Sequence, residues 1–394
     1  MLTEARRREV LELARQLLRI PSLSGKEKWV ARALRERMQE LGYDEARIDS
    51  LGNVIGIIRG QRPGPCLLFD GHMDTVAATG EGWRHDPIGG EVQDGRLYGR
   101  GASDMKGALA AMVAAAGYFA HDRERDFAGT LAVAGTVHEE CFEGVAAREV
   151  FQAVRPDYVV LGEASELNLK RGQRGRAEIV ITTRGRAAHS SNPGAGNNAV
   201  YQMVEVVRRL RELEPPLHPV LGPGILELTD IISAPYPGAS VVPDTCRVTY
   251  DRRLLVGETR EGVLAPIRKV LDELAASCPG FRAEVAFARG EGKCYTGAHL
   301  ASERFYPGWL LPDDHELVRR ALAGLRAAGL QPALSHYSFC TNGSFYAGEA
   351  GVPTIGFGPS REELAHVVDE YIELEQLWAA TKGYYALAGA LLAP

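Results

Sequence analysis

The sequence has no apolar run long enough to cross a bilayer. Its longest, Gly107 to Ala120, is alanine-rich and reads as a buried helix, so no membrane partner is expected. The stretch from Met1 to Ile20 alternates charge with leucine at helical spacing and lacks the apolar region of a signal peptide, which points to a cytoplasmic protein. Cysteine is scarce. The six thiols show neither CxxC pairs nor zinc-finger spacing, which excludes a finger and argues for reduced core thiols rather than a disulfide framework. Neither sign of charge dominates. Lys and Arg total 45 against 51 Asp and Glu, and a net charge of -6 gives no reason to expect a nucleic acid partner. Repeats and low-complexity segments are also missing. What remains is an ordinary globular composition, 45% hydrophobic and 24% charged, on a chain of 394 residues that is long enough for two domains.

Helix and strand signals alternate over most of the chain. A helix from about Glu4 to Arg19 stops before Pro21. Ser24-Gly25-Lys26-Glu27 reads as the capping box of a second helix that ends near Gly42. Strands are expected at Asn53 to Arg59, Pro65 to Phe69, Gly129 to Val137 and Tyr158 to Leu161, with helices after Asp104 and from Glu143 to Val154. This order indicates an α/β sheet with helices on both faces, whose ligand site lies beyond the carboxyl ends of the strands. After Arg174 the pattern becomes β-α-β-β-α-β, a split ferredoxin-like motif. The fold expected is therefore an α/β catalytic domain of residues 1–175 and 293–394, with a mixed, mostly parallel sheet flanked by helices. A ferredoxin-like α+β lid is inserted at 176–292. The last helix is expected from about Tyr371 to Leu391.

Five stretches place histidine or carboxylate at a strand end or in the loop just after it. They are Gly71-His72-Met73-Asp74, Gly99 to Asp104, His138-Glu139-Glu140, Gly162-Glu163 and Ala365-His366. His72 and Asp74 are two apart, so both side chains leave one face of a strand, and one can bind a metal while the other fixes the imidazole tautomer. Asp104 precedes a helix, where an N-cap is the plain reading. Between two cations its two oxygens could bridge instead. Gly99 to Gly107 fits neither a P-loop nor a dinucleotide fingerprint. Glu139 and Glu140 are neighbours in extended chain and point different ways, so one can ligate while the other works as a general base toward water. His138-Glu139 does not begin an HExxH motif, because position 142 is phenylalanine. Each stretch has a structural reading when taken alone. Among them two histidines, His72 and His366, and four carboxylates, Asp104, Glu139, Glu140 and Glu163, make a mixed oxygen and nitrogen set suited to two divalent ions, with Zn, Co and Mn all compatible.

As a set these motifs resemble the two-zinc exopeptidases and deacylases, a family that includes carboxypeptidase G, aminoacylase, acetylornithine deacetylase and succinyl-diaminopimelate desuccinylase. Ile20-Pro21-Ser22 and Ala188-His189-Ser190-Ser191 with Pro193 belong to the same pattern, which covers essentially the whole chain. The resemblance implies that His72, Asp104 and Glu163 hold one metal and Asp104, Glu140 and His366 the other. It implies that Asp74 orients His72, that Glu139 is the general base toward a metal-bridged hydroxide, and that the Asp104-Met105 peptide is cis. It further implies a homodimer formed through the lid, in which His189 reaches the partner's site to stabilise an oxyanion.

Gln173 to Arg176, Asp251 to Leu254 and Thr341-Asn342-Gly343 narrow the resemblance to a branch described as selenium-metabolism-associated hydrolases. Asn342, Gly343 and Arg253 are candidates for substrate binding. Arg253 could grip a carboxylate, or pair with Asp251 or Glu258 within the lid. Desuccinylase-type members carry arginine where this chain has Ser344, which counts against succinyl-diaminopimelate. The expected activity is hydrolysis of an amide bond in a small N-acyl or N-carbamoyl amino acid or dipeptide. Two rivals are a metal-poor member that only binds an amino-acid-like ligand and a two-metal phosphoesterase.

Overall fold

The computed structural model describes residues 2–79 and 81–392. The chain forms two compact units. The first is Met1–Gln173, Glu291–Ala301 and Leu310–Pro394, and the second is Arg174–Gly290 with Ser302–Trp309. Ser302–Trp309 was not expected in the second unit. It joins because Phe305 and Tyr306 pair with the strand Gly175–Arg184.

The first unit is built on a mixed sheet. Its strands run Glu45–Ile48, Val54–Arg59, Ala128–Thr136, Arg62–His72, Tyr158–Leu161, Thr354–Gly356 and Leu169–Gln173 in spatial order. The central pairs are parallel, and antiparallel strands extend the sheet on the side of Val54–Arg59. Arg62–His72 is buried on both faces from Leu67 onward, as its apolar run requires. Helix Lys106–Asp122 packs against the sheet and against helices Glu4–Leu18 and Leu374–Leu391. Its residues from Lys106 to Ala120 are all buried, and small alanines let neighbours approach from every side.

Two local expectations are corrected. The second helix begins at Lys28, and its N-cap Glu27 makes no side-chain capping bond. The Ser24 hydroxyl, instead of accepting from a helix N–H, donates to Asp74 Oδ2 at 2.7 Å, a charge-assisted hydrogen bond to a buried carboxylate. The last helix begins at Leu374. Tyr371–Glu373 forms a short strand against Arg96–Tyr98.

The second unit has the β-α-β-β-α-β order. Strands Gly175–Arg184, Ile225–Ala234, Thr245–Leu254 and Ala283–Phe287 form an antiparallel sheet in the order second, third, first, fourth. Helices Ala199–Leu210 and Arg260–Ser277 cover one face of it. The core between them includes Ile179, Ile181, Met203, Val206, Val248, Ile267 and Leu271.

Candidate active site

Four adjacent parallel strands end together. His72 is in register with Thr136, Asp70 with Leu161, and Leu161 with Gly356. This brings His72, the turn His138-Glu139-Glu140 and Glu163 to one edge of the sheet. Asp104 enters from the loop before helix Lys106–Asp122, and the Asp104–Met105 peptide is cis. His366 comes from the segment after the short helical turn Glu362–Leu364 and has φ +63. A non-glycine residue held in that region is strained, and such strain concentrates at functional sites.

Asp104 lies at the centre. Its Oδ1 is 2.9 Å from His72 Nε2 and its Oδ2 is 3.1 Å from His366 Nε2. Glu163 Oε1 is 3.8 Å and Glu139 Oε2 4.0 Å from His72 Nε2, while Glu140 Oε2 is 3.0 Å from His366 Nε2. Two groups of potential ligands follow, His72–Asp104–Glu163 and Asp104–Glu140–His366, each with its ligating atoms within 4.8 Å of one another. His72 Nδ1 lies 2.8 Å from the backbone carbonyl of Asp74, which fixes a proton there and turns Nε2 toward the site. The Asp74 carboxylate is farther from that nitrogen, at 3.7 Å. It accepts instead from the backbone N–H groups of Glu139 (3.0 Å) and Glu140 (3.2 Å). Asp74 thus orients His72 through its main chain and the glutamate pair through its side chain.

The electrostatics follow from crowding. Burial, with Asp104 and Glu140 nearby, pushes the Glu163 carboxyl up to about 8, and burial raises Glu139 well above the ordinary carboxylate range. Burial and Asp104 also raise Glu140. Burial works against a charged His72, but Asp104 and Glu163 outweigh it and hold its pKa well above the ordinary value. Hydrogen bonds to Asp104 and Glu140 push His366 up to about 10. Burial works to raise Asp104, yet bonds from both histidines hold it below the usual range. Four carboxylates and two imidazoles in one pocket need positive charge, which protons or cations can supply. A mixed oxygen and nitrogen set, with one carboxylate facing a histidine on each side, fits two divalent ions.

Several supporting groups had been given no role at the site from the sequence. Glu370 is fully buried. Its Oε1 accepts from the N–H groups of Gly101 (3.1 Å), Ser103 (2.8 Å) and Asp104 (3.0 Å), and its Oε2 meets Arg100 Nη1 at 2.6 Å. One carboxylate, four residues after His366, therefore holds the loop that presents Asp104. Ser24 and Glu27 serve the glutamate turn, with Glu27 Oε1 accepting from His138 N at 3.2 Å. Their motif reads as a helix start, and only the tertiary contact reveals the other role.

The remaining candidates have other surroundings. Asn342 is buried, and its amide donates to Asp70 Oδ1 (2.8 Å) and Thr136 Oγ1 (3.0 Å) and accepts from Gly144 N (2.9 Å). Both of its donors are occupied within the first unit. Gly343 N donates to Thr341 Oγ1. In the second unit, His189 is exposed on the short strand Ala188–His189, with Nδ1 2.7 Å from Ser191 Oγ. Arg253 pairs with Asp251 at 2.7 Å. Among the described residues no helix is long and apolar enough to cross a membrane.

The chain is similar to known proteins over nearly its whole length. The family described as peptidase family M20/M25/M40 matches residues 68–390. The chain is 34% identical over 392 residues to the protein YgeY of Escherichia coli strain K12, covering 98% of this chain and 95% of that one. It is 29% identical over 397 residues to a succinyl-diaminopimelate desuccinylase of Methylobacterium radiotolerans, covering 95% and 94%. Aminopeptidase PepT of Bacillus cereus shares the fold, with a TM-score of 0.76 at 19% identity over 98% of both chains. So does the YXEP protein of Bacillus subtilis, described as a dinuclear metal binding peptidase from the M20 family, with a TM-score of 0.75 at 17% identity over 99% of both. A family match over most of the chain, and relatives that align nearly end to end, lead to one conclusion: the chain belongs to peptidase family M20/M25/M40 and is a metal-dependent hydrolase acting on C–N bonds.

Proposed function

We propose that this protein hydrolyses the amide bond of a small N-acyl or N-carbamoyl amino acid or dipeptide, with Glu139 as general base. In this reading His72, Asp104 and Glu163 hold one divalent ion, and Asp104, Glu140 and His366 hold a second. Zinc is the ion put forward, with cobalt or manganese as alternatives. The observation that carries the reading is Asp104, whose two oxygens each face one imidazole nitrogen, at 2.9 and 3.1 Å.

When bound, such ions would supply Lewis acidity toward a carbonyl and acidify water. The protein's own share is proton handling and placement. Glu139 Oε1 is buried with no hydrogen-bond partner, so it is available to take a proton from water and return it to the leaving nitrogen. Burial raises its proton affinity, which suits a base working near neutral pH. His189 is put forward as the donor to the developing oxyanion, offered from the partner subunit of a homodimer. Arg253 is the candidate for a substrate carboxylate and would exchange Asp251 for it. Ser344 is buried and brings no cation, which argues against an N-succinyl group despite the desuccinylase relatives.

The test is a turnover screen of zinc-, cobalt- or manganese-loaded protein against N-acetyl, N-carbamoyl and N-succinyl amino acids, dipeptides and phosphate esters. Turnover of an N-acyl or N-carbamoyl amino acid or dipeptide is expected. In Glu139→Ala the rate should fall by about 10²- to 10⁴-fold while metal stays bound. Wild-type turnover in that variant, or activity confined to phosphate esters, would sink the reading.

A further inference from the structure

The base Glu139 has an unusual support. No hydrogen bond reaches its Oε1, so its aim must come from the main chain of the turn it sits on. That turn is strained at its first residue, His138, where φ is +57. Three successive amides of the turn are caught by two buried carboxylates. His138 N donates to Glu27 Oε1 at 3.2 Å, Glu139 N to Asp74 Oδ1 at 3.0 Å, and Glu140 N to Asp74 Oδ2 at 3.2 Å.

Glu27 is an expensive side chain for its place. It is fully buried, and Oε1 also accepts from Gly25 N at 2.9 Å, while Oε2 is buried with no partner. An apolar side chain of similar size would fill the space without an idle, desolvated oxygen. What only an acceptor can do there is hold the Gly25 and His138 amides together, tying the loop to the turn. The loop is shaped to allow it. Gly25 has φ +82, and a Cβ there would lie 2.7 Å from the Lys293 carbonyl, the same carbonyl that His138 Nε2 approaches at 3.3 Å.

We infer that Glu27 is a positioning residue for the general base: through the His138 amide it locks the strained turn that aims Glu139 at the substrate. This rests on the reading of Glu139 as the base. A misplacement of about 1 Å at a catalytic group costs up to about 10²-fold in rate. Glu27→Met, which keeps the bulk and removes the acceptor, should therefore lower kcat by about 10- to 100-fold in the zinc-loaded enzyme on its best screened substrate, with KM and bound zinc little altered. Glu27→Gln keeps an acceptor oxygen and should recover most of that loss.

A second readout needs no activity. Hydrogen exchange of the metal-free protein should quicken in the peptide 136–142 of Glu27→Met and not in the second unit. If Glu27→Met does not fold, Glu27→Asp, one methylene shorter, replaces it with the same expectations. In a Glu139→Ala background the Glu27 substitution should leave the residual rate where it was, because the lost aim has nothing left to act on. Unchanged exchange at 136–142, or an equal rate loss in both backgrounds, would overturn the proposal. Full activity of Glu139→Ala alone would instead remove the base assignment, and the exchange result would still report whether Glu27 holds the turn.

Discussion

At the scale of single residues, the site depends on carboxylates that are not offered as ligands. Glu370 is the clearest. Replacing it with alanine would strand three loop amides and leave the buried Arg100 guanidinium without its partner. Breaking a buried ion pair from one side costs about 3–5 kcal/mol. Glu370→Ala should therefore unfold at markedly lower denaturant and bind zinc more weakly, since the loop that presents Asp104 loses its anchor. Denaturant melts of the metal-free protein and a zinc titration would read the two effects, and wild-type values in both would show that the loop is held some other way. His72, Glu139, Glu140 and Glu163 were legible in the sequence because each ends a strand or follows one closely, whereas Asp104 and His366 lie farther along their loops and were marked by their motifs. The roles of Glu370 and Glu27 were not legible. Both sit in motifs, but a carboxylate that binds backbone amides of a distant loop needs no fixed spacing to its targets, so no spacing marks that role. Asn342 shows the converse. Its motif is conspicuous, but the fold turns its amide toward Asp70 and Thr136.

At the scale of elements, apolar runs located the central strands of the first unit, and the β-α-β-β-α-β order located the second. Short edges escaped, because the pairs Tyr371–Glu373 with Arg96–Tyr98 and Phe305–Tyr306 with Gly175–Arg184 rest on tertiary pairing rather than on period. One strand bears on assembly. Ile225–Ala234 is the edge of the second unit's sheet, it is ten residues long, and it exposes Ile231 and Ile232 by about half. Proteins avoid leaving such an edge bare, so it is the element through which the proposed homodimer would form. Ile231→Lys with Ile232→Lys should place like charges across a two-fold edge and turn a dimer into a monomer by sedimentation. Thermal stability should stay close to wild type if each chain folds alone. A wild-type protein that is monomeric at micromolar concentration would remove the dimer and, with it, a His189 supplied in trans.

At the scale of the whole molecule, folding crowds buried carboxyls together in the site, and in the proposed reading cations would take the place of the protons those carboxyls retain. Burial lifts Glu163 from an ordinary 4.5 to about 8, and Glu139 and Glu140 shift in the same direction. A carboxyl raised on folding contributes stability that is complete below its unfolded pKa and is lost as pH climbs through its folded one. The metal-free protein should therefore weaken from about pH 4.5 to about pH 8. His366, lifted to about 10 by its bonds to Asp104 and Glu140, adds a loss of the same sign at higher pH, damped because half of the side chain meets solvent. Asp104 has the opposite sign, but its share disappears only in acid below the usual carboxylate range. Divalent ions compete with these protons, so they bind more tightly as pH rises, and they stabilise the fold by about 2.7 kcal/mol at a hundred times Kd. Thermal melts at steps from about pH 5 to about pH 9 should then diverge. The midpoint of the chelator-treated protein should fall, that of the zinc-saturated protein should hold or rise, and the gap should be widest at the alkaline end. Parallel curves would mean that zinc displaces no protons on binding. The crowded carboxylates around Asp104 would then not be its ligands, because a cation entering that pocket has to take the place of the protons that crowding retains there.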